Sequence, residues 1–427
     1  AQAIESAQLE NLDTKPPLRA GGRPEHLPLS YAQQRLWFLD QLGSDSNEYH
    51  MPEALRLSGR LDYEALSKTL NYLVDRHESL RTHFAEIDGE AVQVIVAELQ
   101  IDIPLVDLSQ LDANARRDAI NKTIANEWAQ PFDLSAGPVI RARLLKLGDE
   151  EHILLRTLHP IVSDGWSVGV FNREFGLCYD AYVRGEEPAL EPLRVQYADF
   201  ALWQHSWLDE AELSRGINYW RQQLAGIPER LELPLDHPRP ARQTFHARMH
   251  QRIVPADRFA GLKRLGQHRQ ATLYMTLLSV FGVLMSRYSG QDDIVVGSPS
   301  ANRQEKELEG LIGFFVNSLV MRVRPQPDQS FNELLATVRD TTLEAYRYQD
   351  IPFERLVEVL APQRNLSTTP IYQVVFALQN AEMGAQQLSG LEVSPVGSEA
   401  LQVRFDLEVH GFERDGHLDL IWMYNSD

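Results

Sequence analysis

Apolar positions along this chain recur with two periods. In "DYEALSKTLNYLVDRHESL" (62–80), Leu66, Leu70, Leu73 and Val74 share one face of a 3.6-residue repeat, which predicts a helix, and "AVQVIV" (91–96) follows as a strand. Two largely apolar runs, "VIRARLLKL" (139–147) and "HILLRTLH" (152–159), flank the polar turn "GDEE", the signature of a hairpin. Immediately after it, Val168, Phe171, Phe175, Cys178 and Tyr182 return to helical spacing. Further on, "ATLYMTLLSVFGVLM" (271–285) reads as a buried helix with Gly290 as its stop, then "DIVVGSP" and "GFFVNSLVMRV" as strands. A helix around "NELLATVRDTTLEAYRY" and late strands "IYQVVFAL" and "LDLIWMY" complete the series. Helices and strands in mixed order, with hairpins, predict an α/β fold built on mixed sheets.

Two stretches lack this periodicity. Residues 1–28 carry Pro16, Pro17, Gly21, Gly22, Pro24 and Pro28 and read as an interdomain linker from something upstream. "LAGIPERLELPLDHPRPARQT" (224–244) holds four prolines and is the expected inner boundary, separating 29–223 from 245–427. At 427 residues the chain exceeds what one hydrophobic core usually serves, and two α/β portions of similar make-up point to an internal duplication, although no sequence repeat is evident.

Composition narrows the function. Sixty acidic against 41 basic residues give a net charge of -19, which disfavours phosphate backbones and anionic lipid surfaces as partners. The longest apolar stretch falls short of the roughly 20 residues of a membrane span, and no signal peptide opens the chain, so a cytoplasmic, membrane-free protein is expected and the Asn-x-Ser/Thr triplets at Asn121 and Asn365 are read as chance. The lone Cys178 excludes an internal disulfide and sits in an apolar helical series, which predicts packing and not nucleophilic chemistry.

Three stretches carry candidate chemistry. In "FHARMH", His246 and His250 are four apart, but the flanking residues alternate with the period of a strand, where that spacing spans about 13 Å, too far for one metal ion. "RHESLRTHF" (76–84) gathers Arg76 and Arg81 at a helix end; they either complement its negative terminus or supply a guanidinium to a carboxylate such as Asp164. "LRTLHPIVSDGWSVGVF" (155–171) ends a strand at His159 and opens a helix after Asp164 and Gly165. Taken on residue chemistry, His159 is the candidate general base and Asp164 its helper, against the plainer alternatives of a core histidine and a helix N-cap. No phosphate loop, nucleophile elbow, kinase set or Cys/His cluster is present, so a bound cofactor has no support.

Seven stretches in order resemble the condensation domains of nonribosomal peptide synthetases: "SYAQQRLWFLDQL", "RHESLRTHF", "HPIVSDGWS", "YADFALWQ", "IGFFVNSLVMRV", "YQDIPFERLVE" and "RNLSTTPIYQVVFALQN", spanning about residue 27 to the C-terminus. The resemblance implies two chloramphenicol acetyltransferase-like lobes in a V, a pseudo-dimer in one chain, with a tunnel between them. Donor acyl and acceptor aminoacyl thioesters would arrive there on the 4′-phosphopantetheine arms of upstream and downstream carrier domains and be joined as an amide. It implies no cofactor or metal on the domain itself and a monomer when excised, and it sets the finish at "WMYNSD" slightly short of the family's usual end. The family motif is His-His-x-x-x-Asp-Gly, with the second histidine catalytic. Aligned on Asp164-Gly165, the first histidine is His159 and the catalytic position is Pro160, which has no proton to move. The resemblance therefore shifts catalysis from His159 to Pro160 and leaves His159 facing away, since adjacent strand residues point to opposite sides. It makes Asp164 structural, paired with Arg76 or else Arg81, and places Trp166, Ser167 and Asn317 on the substrate side. An amide-forming domain of the L-donor, L-acceptor type impaired at Pro160 is expected; a starter type adding a fatty acyl group, a dual epimerising type and a non-catalytic recruitment module are the alternatives. His159 argues against the cyclising branch and the linker against a stand-alone coenzyme A acyltransferase.

Overall fold

The computed structural model describes residues 15–41, 51–360, 367–379, 386–396 and 402–427. Leu42, Arg364, Asn365, Leu366 and Asn380, which belong to stretches quoted above, and the first half of the 1–28 linker lie outside the described residues.

Three sheets organise the described chain. The first core forms on a mixed five-stranded sheet of β2 (Met51–Ser58), β5 (Leu105–Asp107), β6 (Ile140–Gly148), β7 (Glu151–Leu158) and β12 (Glu392–Pro395), in the order β12-β2-β7-β6-β5. Strands β6 and β7 are the expected hairpin. Because β7 lies in the middle of the sheet, between β2 and β6, every residue after Glu151 is buried, which explains its nearly unbroken apolar run. On this sheet pack α1 (Tyr63–Arg76), capped by Asp62, and α2 (Gly165–Val183). Cys178 is buried in the same cluster with Val170, Phe171 and Phe175, and burial pushes its thiol up to about 12. A small antiparallel sheet joins β1 (Leu27–Pro28), β3 (Thr82–Ile87) and β4 (Glu90–Ile95).

The second core surrounds a mixed six-stranded sheet, β10-β9-β11-β13-β14-β8, comprising β8 (Ala247–Val254), β9 (Ile294–Ser300), β10 (Asn317–Val323), β11 (Val374–Gln379), β13 (Leu407–Arg414) and β14 (His417–Asn425). The "FHARMH" stretch enters β8, as its alternation predicts, with His250 opposite Trp422. Two helices, α3 (Tyr197–Trp207) and α4 (Glu210–Gln223), lead from the first portion towards this core. The apolar helix α5 (Leu273–Ser289) stops at Gly290, whose φ of 71° is the left-handed cap that glycine adopts without strain. Alongside it α6 (Phe331–Arg347) opens with a Ser330/Glu333 capping box.

Packing does not follow chain order at two places. Helices α3 and α4 precede the 224–244 stretch, yet Leu208, Trp220, Leu224 and Leu231 all belong to the second core. In return β12, from late in the chain, pairs with β2 in the first sheet, residue 392 opposite 58. Among the described residues no helix is long and apolar enough to cross a membrane.

Candidate active site

The last residues of β7 deliver the opening motif. His159 is extended (φ -77°, ψ 135°), as a residue before proline must be, and caps a short 3-10 turn, Pro160–Val162. Its Nδ1 accepts the Ile161 N–H at 3.1 Å, and its ring meets Phe132 edge-on at 5.6 Å between centroids. A ring nitrogen that accepts a backbone N–H is unprotonated, and at 3% exposure His159 is fixed as a piece of the loop. The reading of His159 as general base, made on residue chemistry, does not fit this arrangement.

Pro160 is buried at the first position of the turn. That position suits proline: its φ is preset, and an N–H there would have no partner within the turn. Proline is therefore compatible with the backbone at this position, and it offers no side chain that can hold or transfer a proton.

Asp164 caps α2 and accepts four hydrogen bonds. Its Oδ1 takes the Ser167 N–H at 2.8 Å and a guanidinium N–H of Arg303 at 3.2 Å; its Oδ2 takes the N–H groups of Phe315 at 2.9 Å and Val316 at 3.2 Å. Three of these donors come from the 302–316 segment of the second half. The same segment bonds to Ser167, whose Oγ donates to the Gly313 carbonyl at 2.7 Å and accepts from Gly313 N–H at 3.0 Å and Arg303 at 2.7 Å. Trp166 Nε1 donates to the Glu309 carbonyl at 2.9 Å, and Gly165 between them is exposed. Gly313 has to be glycine here: a Cβ would lie 2.0 Å from the Tyr197 ring. The motif is thus completed by a segment about 140 residues away.

This corrects the expected pairing of Asp164. Arg76 instead forks onto Glu174 of α2, at 3.1 and 3.3 Å, and donates to the Glu191 carbonyl at 2.8 Å. Arg81 donates to the backbone carbonyls of Val96 at 2.6 Å and Asp75 at 3.4 Å. The arginines of "RHESLRTHF" stand at the end of α1 and in the 3-10 turn after it, beside α2, where Glu174, more than two turns beyond Asp164, is the carboxylate within reach. Arg76 supports the site by holding the helix that Asp164 caps. Beside it the buried His77 meets Glu174 at 2.8 Å. Burial lowers the His77 pKa, so its Nε2 donates to Glu174 as a neutral ring.

Arg303 is the residue the sequence reading missed. Besides Asp164 and Ser167 it donates to the Leu308 and Leu311 carbonyls and stacks at 4.0 Å on Phe315. Burial depresses its pKa against the opposing pull of Asp164. Its position in "SANRQEKELEG", shortly before "IGFFVNSLVMRV", was a signal of modest strength. Asn317 is not brought to this cluster: its amide donates to the Gln349 and Ile351 carbonyls at 2.7 and 2.8 Å and accepts the Phe353 N–H at 3.1 Å.

The arrangement is a rigid loop, locked from both halves of the chain, that presents no proton-transferring side chain at residue 160. The family described as "Condensation domain" matches residues 24–427. A linear gramicidin synthase polypeptide of Brevibacillus parabrevis is 45% identical over 406 residues, covering 95% of this chain and 8% of that protein. The malpinin synthetase of Mortierella alpina is 44% identical over 393 residues, covering 92% and 5%. The chain therefore spans less than a tenth of the length of these relatives. Among solved structures, the X-domain in its complex with OxyB from teicoplanin biosynthesis superposes with a TM-score of 0.84 at 30% identity, covering 97% of this chain and 91% of that one.

Proposed function

The chain belongs to the condensation-domain family, and from that premise we propose that it brings together a donor acyl thioester and an acceptor aminoacyl thioester, each on the 4′-phosphopantetheine arm of a carrier domain, and forms the amide slowly because residue 160 is proline. The observation that carries this is the contrast at the end of β7. Everything that shapes the loop is present, from the His159 cap to the four bonds on Asp164, and the motif resemblance aligns the family's catalytic histidine with residue 160, where this chain has proline. A general base at that position contributes roughly 10²–10⁴ in rate, and an oxyanion-stabilising group a similar factor. Confinement of the two thioesters acts independently of that side chain, so acceleration over free carriers survives its loss. An L-donor, L-acceptor pairing follows the resemblance of the motifs.

The test is single-turnover amide formation between a donor-loaded and an acceptor-loaded carrier, followed by intact-protein mass with and without the chain. Acceleration over the carriers alone supports the proposal, and its absence refutes it. The likeness to an X-domain solved with OxyB favours a second reading, recruitment of a partner enzyme without chemistry. On that reading the chain gives no acceleration and fails to bind an acyl-pantetheine analogue.

A further inference from the structure

The most enclosed ammonium group in the described chain belongs to the N-terminal segment that the sequence marks as a linker. Lys15 is 5% exposed at its side chain. Its Nζ donates to Asp350 Oδ2 at 2.7 Å and Gln304 Oε1 at 3.0 Å, and lies 4.5 Å from the Trp207 ring centre and 5.9 Å from that of Trp203. Two indole faces, a carboxylate and an amide oxygen around one ammonium form a cation cage, since the ring quadrupole and the carboxylate both favour positive charge. The cage also holds Glu305, and the void left inside it is about 10 Å³, the size that admits a single water. Trp207 Nε1 and Gln304 Nε2 are buried without a hydrogen-bond partner among the described residues.

The segment is fastened along its length. Trp203 Nε1 donates to the Pro16 carbonyl at 2.6 Å. Leu18 is buried in a cluster with Tyr197, Phe200, Leu308, Leu311 and Phe315. Arg23 forks onto Asp199 and reaches Glu78 at 2.8 Å. That cluster packs the 302–316 segment whose Arg303, Phe315 and Val316 hold Asp164.

We propose that Trp203, Trp207, Gln304 and Asp350 form a primary-ammonium binding site occupied by the chain's own Lys15, which anchors the N-terminal segment against 302–316 and so positions the clamp on Asp164. Lys15 is a positioning residue and touches none of the motif. The inference stands on the cage geometry and holds whichever reading of the function is correct.

Hydrogen exchange on the full 427-residue chain tests it, with the β6–β7 hairpin as an internal reference for an intact core. In Lys15→Ala, peptides covering 15–24 and 302–316 are expected to exchange about tenfold faster or more, because the Asp350 carboxylate, 14% exposed, loses its ammonium partner and the segment its anchor while the hairpin stays protected. Added n-butylammonium should restore protection by refilling the cage, n-butanol should not, and Lys15→Arg should retain most of it. Asp350→Asn approaches the site from the other side and should loosen the same peptides without rescue by the amine. Unchanged exchange in Lys15→Ala or in Asp350→Asn, or equal rescue by butanol, would overturn the proposal.

Discussion

Replacing Arg303 with methionine leaves the Asp164 carboxylate buried and uncompensated, and its cost follows from the contacts. The two side chains are 1% and 4% exposed, so solvent screens the pair little. Breaking such a pair from one side costs about 3–5 kcal/mol. Asp164 keeps three backbone N–H donors, which puts this term near the lower end, about 3 kcal/mol. The Leu308 and Leu311 carbonyls also lose their guanidinium donor, adding about 1 kcal/mol or more. Arg303→Met should therefore destabilise by about 4–5 kcal/mol. Asp164→Asn, which with its amide NH2 at the Oδ2 position turns an acceptor into a donor facing the Phe315 and Val316 N–H groups, should cost about 2–3 kcal/mol. In the double variant the stranded charge is gone, so the losses should fall short of additive by about 2 kcal/mol. Urea denaturation followed by tryptophan fluorescence measures the cycle. Additivity within about 0.5 kcal/mol would refute the assignment of Arg303 as the partner of Asp164.

Two further expectations rest on buried titratable groups. His77, held below its ordinary 6.5 by burial, stays neutral in the fold while the unfolded chain takes up a proton; its share of stability is fully present above pH 6.5 and declines as the pH falls below it. Burial opposes ionisation of Glu174, but the bonds from His77 and Arg76 outweigh it and hold its carboxyl below 4.5, so a second loss follows on further acidification. Thermal midpoints recorded across pH should show the first decline in the parent and not in His77→Gln; an unchanged slope in the variant contradicts this. Cys178, its thiol pushed up to about 12, should ignore an aromatic disulfide reagent at mildly alkaline pH until the chain is unfolded, and rapid labelling of the folded protein would contradict its burial.

Local patterns gave the elements, because each is written in neighbouring residues. The period of Leu66, Leu70, Leu73 and Val74 is the buried face of α1, and the alternation around His246 and His250 is β8. Partnership between distant segments was not legible. Arg76 and Arg303 are both arginines near motif residues, and only the packing of 302–316 against α2 decides which reaches Asp164 and which reaches Glu174. The return of β12 to the first sheet was equally hidden, since its four residues carry no sign of the strand they join. At His159 residue chemistry named a base, whereas the next residue, Pro160, turns the chain so that the imidazole caps a backbone N–H. That cap could have been anticipated from the strong tendency of pre-proline residues to stay extended.

On the proposed function, the loop after β7 lacks one side chain, a histidine at residue 160, and nothing else. Pro160→His puts an imidazole at the first position of the 3-10 turn without asking the backbone to move, because that position demands no proline. Amide formation between matched donor- and acceptor-loaded carriers, timed by intact-protein mass for the two forms side by side, measures the consequence. The histidine form should be faster by roughly 10²–10⁴. Equal rates in the two forms, with both still binding the carriers, would contradict the claim.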